Sequence, residues 1–299
     1  MQKKVITRII GGLGNQLFSY AAARRLALAN NAELVIDHVT GFENEKGRYQ
    51  RFYQLDHFQI PVRKATYSEQ LRPFAKTRRF CKKRISRLLP YQKRSYIEQE
   101  KMDFDLRLLQ LQLHKNVHIE GYWQSEDYFK DFEEIIRRDL EIIPPQDEIN
   151  QELARLIKEK ESVAVHIRFF DDPGSKSMDN NASIDYYSKA LKKIEKLRPN
   201  AHYFVFSDRT EAVKEIFNLP EERYEIIHHN KGDEYAYADL WLMAQCKHFI
   251  IANSTFSWWG AWLAANTGKI IFAPGFKKKY GKSHWGFEGL LPDNWVKII

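Results

Sequence analysis

Three stretches in the second half of the chain carry the residue types that do chemistry: VAVHIRFFDD (Val163–Asp172), FVFSDR (Phe204–Arg209) and IIANSTFSWWGAWLA (Ile250–Ala264). Each reads as an apolar strand whose polar residues come at its carboxyl end. Side chains alternate along a strand, so His166 and Arg168 share a face. A guanidinium there is a planar fork matching two oxygens of a diphosphate, or equally those of a neighbouring carboxylate. Ser207 and Asp208 offer a carboxylate for the paired N–H donors of a guanine edge or for a ribose. They also suit the N-cap of a following helix, with Glu211 placed for a capping box. In the third stretch a helix begins within Ser254–Ser257. Its free N–H groups, the hydroxyls of Ser254, Thr255 and Ser257, and the positive end of its dipole suit an anion. Ser254 or Thr255 could also be an ordinary N-cap. Open α/β sheets bind ligands beyond the carboxyl ends of their strands, which is where all these residues fall.

A fourth stretch, RIIGGLGNQLFSYAAARRLA (Arg8–Ala27), is strand, glycine turn and helix. Gly12 and Gly14 let the backbone approach a ligand, and Asp37 ends the next strand where a ribose-binding acid belongs in a dinucleotide enzyme. An NAD(P)-dependent oxidoreductase is therefore the rival reading. Against it, Leu17 stands where a third glycine is needed, and Asn15 and Gln16 put amides where pyrophosphate must approach. Metal-like pairs are weaker. Asp103 and Asp105 imitate a metal-holding DxD but read as a helix start, Asp171-Asp172 lacks oxygen-rich company, and His228-His229 lacks a third ligand. No metal site is expected.

The elements that position these residues alternate strand and helix along the 299 residues. Val5–Ile10, a helix over Gln16–Asn30 and Ala32–Asp37 make a β-α-β unit, which requires a parallel sheet. From Val39 to Leu113 the pattern is irregular and reads as an excursion from that sheet. Asn116–Phe129 resumes strand then helix, with Ser125 as N-cap. Pro144-Pro145 marks the expected boundary between residues 1–145 and 146–299. Beyond it the alternation is regular, including a helix over RTEAVKEIFN, and it closes on the strand KIIFAP.

An apolar content of 43% excludes global disorder, and a formal charge of +8 favours acidic partners. Much of that charge lies in Leu71–Arg94, a solvated helical surface segment or, through 72–94, a candidate for peripheral contact with anionic lipid. Its aromatics, Phe74, Phe80 and Tyr91, are too sparse for nucleic-acid stacking, so no nucleic-acid partner is expected. Two distant cysteines, Cys81 and Cys246, point to a reducing compartment, and no stretch is long and apolar enough to span a bilayer. A cytoplasmic protein, with a peripheral place on the inner face of the membrane as the variant, is the expectation.

GGLGNQLF, GYWQSE (Gly121–Glu126), the HIRxxD of His166–Asp171, FSD, DLWLM (Asp239–Met243) and ANSTFSWWGAWL occur in that order from Gly11 to about Pro274. Together they resemble the glycosyltransferase family 11 α-1,2-fucosyltransferases, bacterial members in particular. The resemblance implies a GT-B-like α/β fold of two Rossmann-like domains facing a cleft, the N-terminal one on the acceptor side. It implies GDP-β-L-fucose as co-substrate and inverting, metal-independent transfer, without a cofactor, to the 2-hydroxyl of galactose in a glycan of the O-antigen or lipopolysaccharide kind. Carried onto this chain, Arg168 would hold the β-phosphate, His166 and Asp208 the guanine or ribose, and Ser254 and Ser257 would complete the phosphate cradle. Gly14, Asn15 and Gln16 would reach the donor from the opposite wall. Asp171 is the nearest candidate base, or else orients Arg168 or His166. One departure stands out: the family's His-x-Arg-Arg-x-Asp has Phe169 in place of its second Arg.

Overall fold

A computed structural model describes residues 2–43, 50–172, 180–217, 219–275 and 285–299. The chain forms two compact units, Met1–Glu141 with Glu288–Leu290, and Ile142–Phe287 with Leu291–Ile299.

The first unit contains β1 (Lys4–Arg8), α1 (Leu13–Ala29), β2 (Glu33–Asp37), β3 (Arg63–Lys64), α2 (Ala75–Arg87), β4 (Tyr96–Glu98), α3 (Leu106–Leu109), β5 (Val117–Glu120) and α4 (Glu133–Asp139). Its five strands lie in the order β3-β2-β1-β5-β4, and every pairing is parallel. Parallel neighbours need crossovers, and the order reverses direction between β1 and β5. Helix α1 is buried along most of its length because its Ala-rich sequence lets it sit close to the sheet. Asp139 of α4 pins it, accepting from the Tyr20 hydroxyl at 2.8 Å and from Arg24 Nε at 2.7 Å.

The stretch Val39–Leu113 is not wholly an excursion, because it supplies both edge strands of this sheet. Their shortness hid them. β3 is two exposed cationic residues and β4 only three, so neither presents an apolar run.

In the second unit α5 (Glu148–Glu159) precedes β6 (Glu161–Ile167), α6 (Ile184–Leu197), β7 (Ala201–Ser207), α7 (Val213–Ile216), β8 (Tyr224–Ile227), α8 (Ala236–Ala244), β9 (His248–Ile250), α9 (Thr255–Leu263), β10 (Ile271–Pro274) and β11 (Val296–Ile298). The sheet order is β11-β10-β9-β6-β7-β8, again with every pairing parallel. From β6 the chain builds outward through β7 and β8, then crosses back to place β9 on the other side of β6. The expected helix over RTEAVKEIFN is only a 3-10 turn, Thr210–Ala212, and the single turn α7. Phe217 ends it by turning into the core between Tyr203 and Tyr224, at ring separations of 5.6 and 5.1 Å. Strand β11 was not expected. It is half-exposed and carries a lysine between its apolar residues, so it shows no buried-strand pattern.

Two tyrosines of α6 lock the strand ends. Tyr187 donates to the His166 carbonyl at 2.9 Å, and Tyr186 donates to those of Ile251 and Phe272 at 2.6 and 2.9 Å. Helix α9 wedges Trp258 and Trp259, both fully buried, behind its N-terminal turn. It approaches α8 closely at Gly260, where an added Cβ would come within 2.3 Å of Met243 Sδ. Overpacking a closed core costs about 1–3 kcal/mol. Gly260→Val is therefore expected to lower stability by about 2–3 kcal/mol in urea unfolding. An unchanged unfolding midpoint would show that α8 and α9 are not held at this distance.

Candidate functional site

The order reversal of the second sheet falls between β6 and β9, and ligands of open α/β sheets sit at such points. The carboxyl ends of β6, β7 and β9 bring His166, Arg168, Ser207, Asp208 and Asn253–Ser257 to one edge of this sheet. Strand pairing fixes the neighbours, with His166 opposite Phe206 and Ile167 opposite Ser207.

Arg168 Nη1 lies 3.1 Å from Asp208 Oδ2, and both side chains remain partly exposed. The other oxygen, Oδ1, accepts from the Phe169 backbone N–H at 3.0 Å. Asp208 thus fixes the backbone just beyond β6 and the guanidinium that leaves it. Phe170 lies against the same guanidinium, 5.6 Å from Cζ to the ring centre. Ser207 Oγ accepts from the Arg209 N–H at 3.1 Å, and Arg209 pairs with Asp172 at 3.0 Å. The capping role open to Asp208 is not taken, since the 3-10 turn that follows has no side-chain cap.

His166 is buried, and its Nδ1 shares a 2.8 Å hydrogen bond with Ser257 Oγ. Burial, with the Arg168 charge adding to it, pushes its pKa down to about 3, so the ring is neutral. Ser257 is fully buried and also donates to the Ser254 carbonyl at 3.3 Å. The phosphate-contact role expected of Ser257 is therefore corrected: it braces His166 against the first turn of α9. Ser254 is the N-cap of that helix, its Oγ accepting from the Phe256 N–H at 3.3 Å, and Thr255 opens the helix partly exposed.

Asp171 is held by Asn180, which donates from its backbone N–H at 3.0 Å and from Nδ2 at 2.9 Å. Asn181 Oδ1 accepts from the N–H groups of Phe170 and Asp171. Asn253 Nδ2 ties this turn to the end of β9 by donating to the Asn180 carbonyl at 2.8 Å. Sequence reasoning missed these three asparagines because they come from separate loops. Asn253 Oδ1 is buried and has no hydrogen-bond partner among the described residues, so one acceptor at this edge is unspent. Phe169 points away from Arg168 into the core at 5% exposure. The residue replacing the family's second Arg is thus a packing residue here.

DLWLM also acquires a structural meaning. Asp239 accepts from Asn230 Nδ2 at 2.8 Å, and Asn230 exchanges amide hydrogen bonds with Asn150 at the start of α5. Burial pushes the Asp239 carboxyl up to about 7. This network holds the first turn of α8, on which α9 packs.

In the first unit the glycine turn follows β1, and Gly121-Tyr122 follows β5, on either side of that sheet's own reversal. Gly11 has φ +76°, a left-handed backbone that favours glycine, and the Tyr122 hydroxyl lies 3.3 Å from where a Cβ would stand. Gly12 caps α1 without any side-chain bond, and Arg51 lies 3.5 Å from its would-be Cβ. Gly14 is buried in the first turn, while Asn15 Oδ1 accepts from Gln124 Nε2 at 2.7 Å. Gln16 does not reach outward as expected. Fully buried, it donates to the carbonyls of Gly11 and Phe52 and accepts from the Gln54 N–H. An amide spent on three backbone groups is a brace for the turn.

Of the metal-like pairs, Asp105 caps α3 and Asp103 Oδ1 accepts from the Glu288 N–H at 3.3 Å. His228 and His229 bond to the Ile226 carbonyl and to Asn150. Among the described residues no group of three His, Cys, Asp or Glu side chains could hold a metal ion.

Two parallel sheets, one with a cation and a helix N-terminus at its reversal point, define a protein of the sugar-nucleotide transferase class by fold. The family model of "Glycosyl transferase family 11" matches residues 4–297, and the chain belongs to that family. It is 28% identical to the O-antigen biosynthesis glycosyltransferase WbnK of Escherichia coli, over 96% of this chain and 98% of that one. It is 29% identical to an alpha-1,2-colitosyltransferase of Escherichia coli, over 98% of each. The fold is shared with NodZ alpha-1,6-fucosyltransferase co-crystallized with GDP (TM-score 0.53, 18% identity, 91% of this chain and 95% of that one). It is shared also with a mutant of Arabidopsis thaliana FUT1 in complex with GDP (TM-score 0.55, 13% identity, 99% and 76%).

The neutral, buried His166 makes stability depend on pH. Its folded pKa lies below the unfolded 6.5, so between pH 6.5 and about 3 the unfolded chain binds a proton that the folded chain refuses. Stability from this group is complete above that window and falls with acid, by about 2 kcal/mol at pH 5. Urea unfolding at pH 7 and pH 5 should show this loss in wild type and a smaller one in His166→Gln. Equal losses in the two proteins would place the proton uptake elsewhere.

Proposed function

We propose that the protein is a galactoside α-1,2-fucosyltransferase, moving L-fucose from GDP-β-L-fucose to the 2-hydroxyl of a galactose residue with inversion. The observation that carries this reading is the meeting of Arg168, held by Asp208, with the N-terminus of α9 at the sheet's reversal point, in a family 11 chain. The acceptor oxygen forms a bond to the anomeric carbon as the bond to the β-phosphate oxygen breaks, and GDP leaves with the electron pair. Negative charge grows on the diphosphate while the sugar becomes oxocarbenium-like. Arg168 and the first N–H groups of α9, with Ser254 and Thr255, meet that charge. Preorganised donors aimed at developing charge supply much of the rate enhancement in many enzymes. His166, neutral and nearly enclosed, and Asp208 suit the nucleoside side of the donor.

The acceptor hydroxyl must lose a proton as it attacks, and Asp171 is the carboxylate assigned to it. Its bonds to Asn180 hold it in place at the end of the β6 loop. The reading needs neither metal nor cofactor. A glycan of the O-antigen kind, met in the cytoplasm, is the acceptor assigned, in line with the O-antigen enzyme that the chain resembles. The likeness to an alpha-1,2-colitosyltransferase favours a colitose donor as the second reading.

Arg168→Ala is expected to lose about 100-fold or more in kcat/KM for transfer from GDP-fucose. A loss within tenfold would remove Arg168 from the phosphate clamp. Asp171→Asn should lower kcat with little change in the KM for donor if it takes the proton; a rise in KM at constant kcat would make it a loop brace. Turnover should survive EDTA, and calorimetry should show binding of GDP and not NAD. NAD binding without GDP binding would restore the oxidoreductase. Assays pairing fucose and colitose donors with a panel of galactosides, linkages assigned by NMR, decide donor and acceptor.

A further inference from the structure

Helix α2, AKTRRFCKKRISR, has only cations among its charged residues. Its inner side is anchored: Ala75 and Ser86 are buried, Ser86 Oγ accepts from the Tyr96 N–H at 3.0 Å, and Lys83 pairs with Glu98 and Glu120 at 2.6 and 2.9 Å. Anchoring that side presents the opposite one to solvent, and it is apolar at its centre. Phe74 is 76% exposed, Phe80 58%, Ile85 61% and Leu88 86%. Phe74, Ile85 and Leu88 fall on one helical stripe, with Phe80 beside it. Lys76, Arg78 and Arg84 are exposed around them, and the Arg84 guanidinium lies over the Phe80 ring at 5.1 Å. Singly exposed apolar residues are ordinary, but four large ones on one cationic helix mark an interaction surface.

We propose that this face of α2 docks on an anionic lipid surface, with Phe80, Ile85 and Leu88 entering the headgroup boundary and Lys76, Arg78 and Arg84 meeting lipid phosphates. Charge complementarity selects that occupant. A helix with an apolar stripe, a purely cationic rim and no acid lies in a bilayer interface, where apolar burial and Coulomb attraction add. Among the described residues no helix is long and apolar enough to cross a membrane, so this attachment is peripheral and reversible. The inference stands on the first unit alone and is independent of donor and acceptor.

Co-sedimentation of the full chain with vesicles of phosphatidylglycerol and phosphatidylcholine, against phosphatidylcholine alone, tests it. Expected is binding at least about tenfold tighter to the anionic vesicles, released as salt shortens the Debye length. The triple variant Phe80→Ser, Ile85→Ser, Leu88→Ser should lose most of this binding, and so should Lys76→Gln with Arg84→Gln. The second pair keeps the apolar stripe and guards against a folding defect, which thermal unfolding of both variants reports. Equal binding to neutral vesicles, or undiminished binding by both variants, overturns the proposal. So does sedimentation velocity showing a wild-type dimer that the triple variant breaks, because the occupant is then a second copy of the chain.

Discussion

The parallel pairing of β6 with β7 on one side and β9 on the other is the constraint on which the rest of the second unit depends. The chain must leave β6 and β9 by loops that diverge, so backbone N–H groups and short polar side chains there have no neighbouring strand to satisfy them. Asparagines 180, 181 and 253 take up most of that demand and tie the two loops together. Tyr186 and Tyr187 hold the same strand ends from α6. What is left at this edge is a guanidinium, a helix terminus and an unspent amide oxygen.

Electrostatics then follows from burial. His166 lies deep enough that it stays neutral, so the only cation of the HIRxxD stretch is Arg168. Its pairing with Asp208 keeps it extended and partly solvated, and so preorganised for an anion. A surface ion pair of this kind adds little to stability, about 0–1 kcal/mol. Its value lies in fixing where the charge sits. Ser257 and Gln16 show the same logic one layer further in: each is spent on bracing a turn, at His166 and at Gly11 respectively.

Much of this was legible in the sequence because the signals are periodic. The long apolar strands β6 and β7 and the helices between them have lengths and caps that the residue types dictate; Ser183 of α6 and Ser125 cap as their positions suggest. Strands β3, β4 and β11 were not legible, since two or three residues with cations or acids among them carry no pattern. Local signals also could not separate Ser257 and Gln16 from true contact residues. A hydroxyl in the first turn of a helix and an amide beside a glycine turn look alike whether they face ligand or core, and only packing decides. Phe169 was equally opaque until the structure placed it in the core.

A structure of the protein with GDP bound tests the central claim most directly. The β-phosphate is expected within about 3 Å of the Arg168 guanidinium and of the first N–H groups of α9. A diphosphate seated on the Gly12–Gly14 turn, with Arg168 still paired to Asp208 and away from it, would contradict that placement.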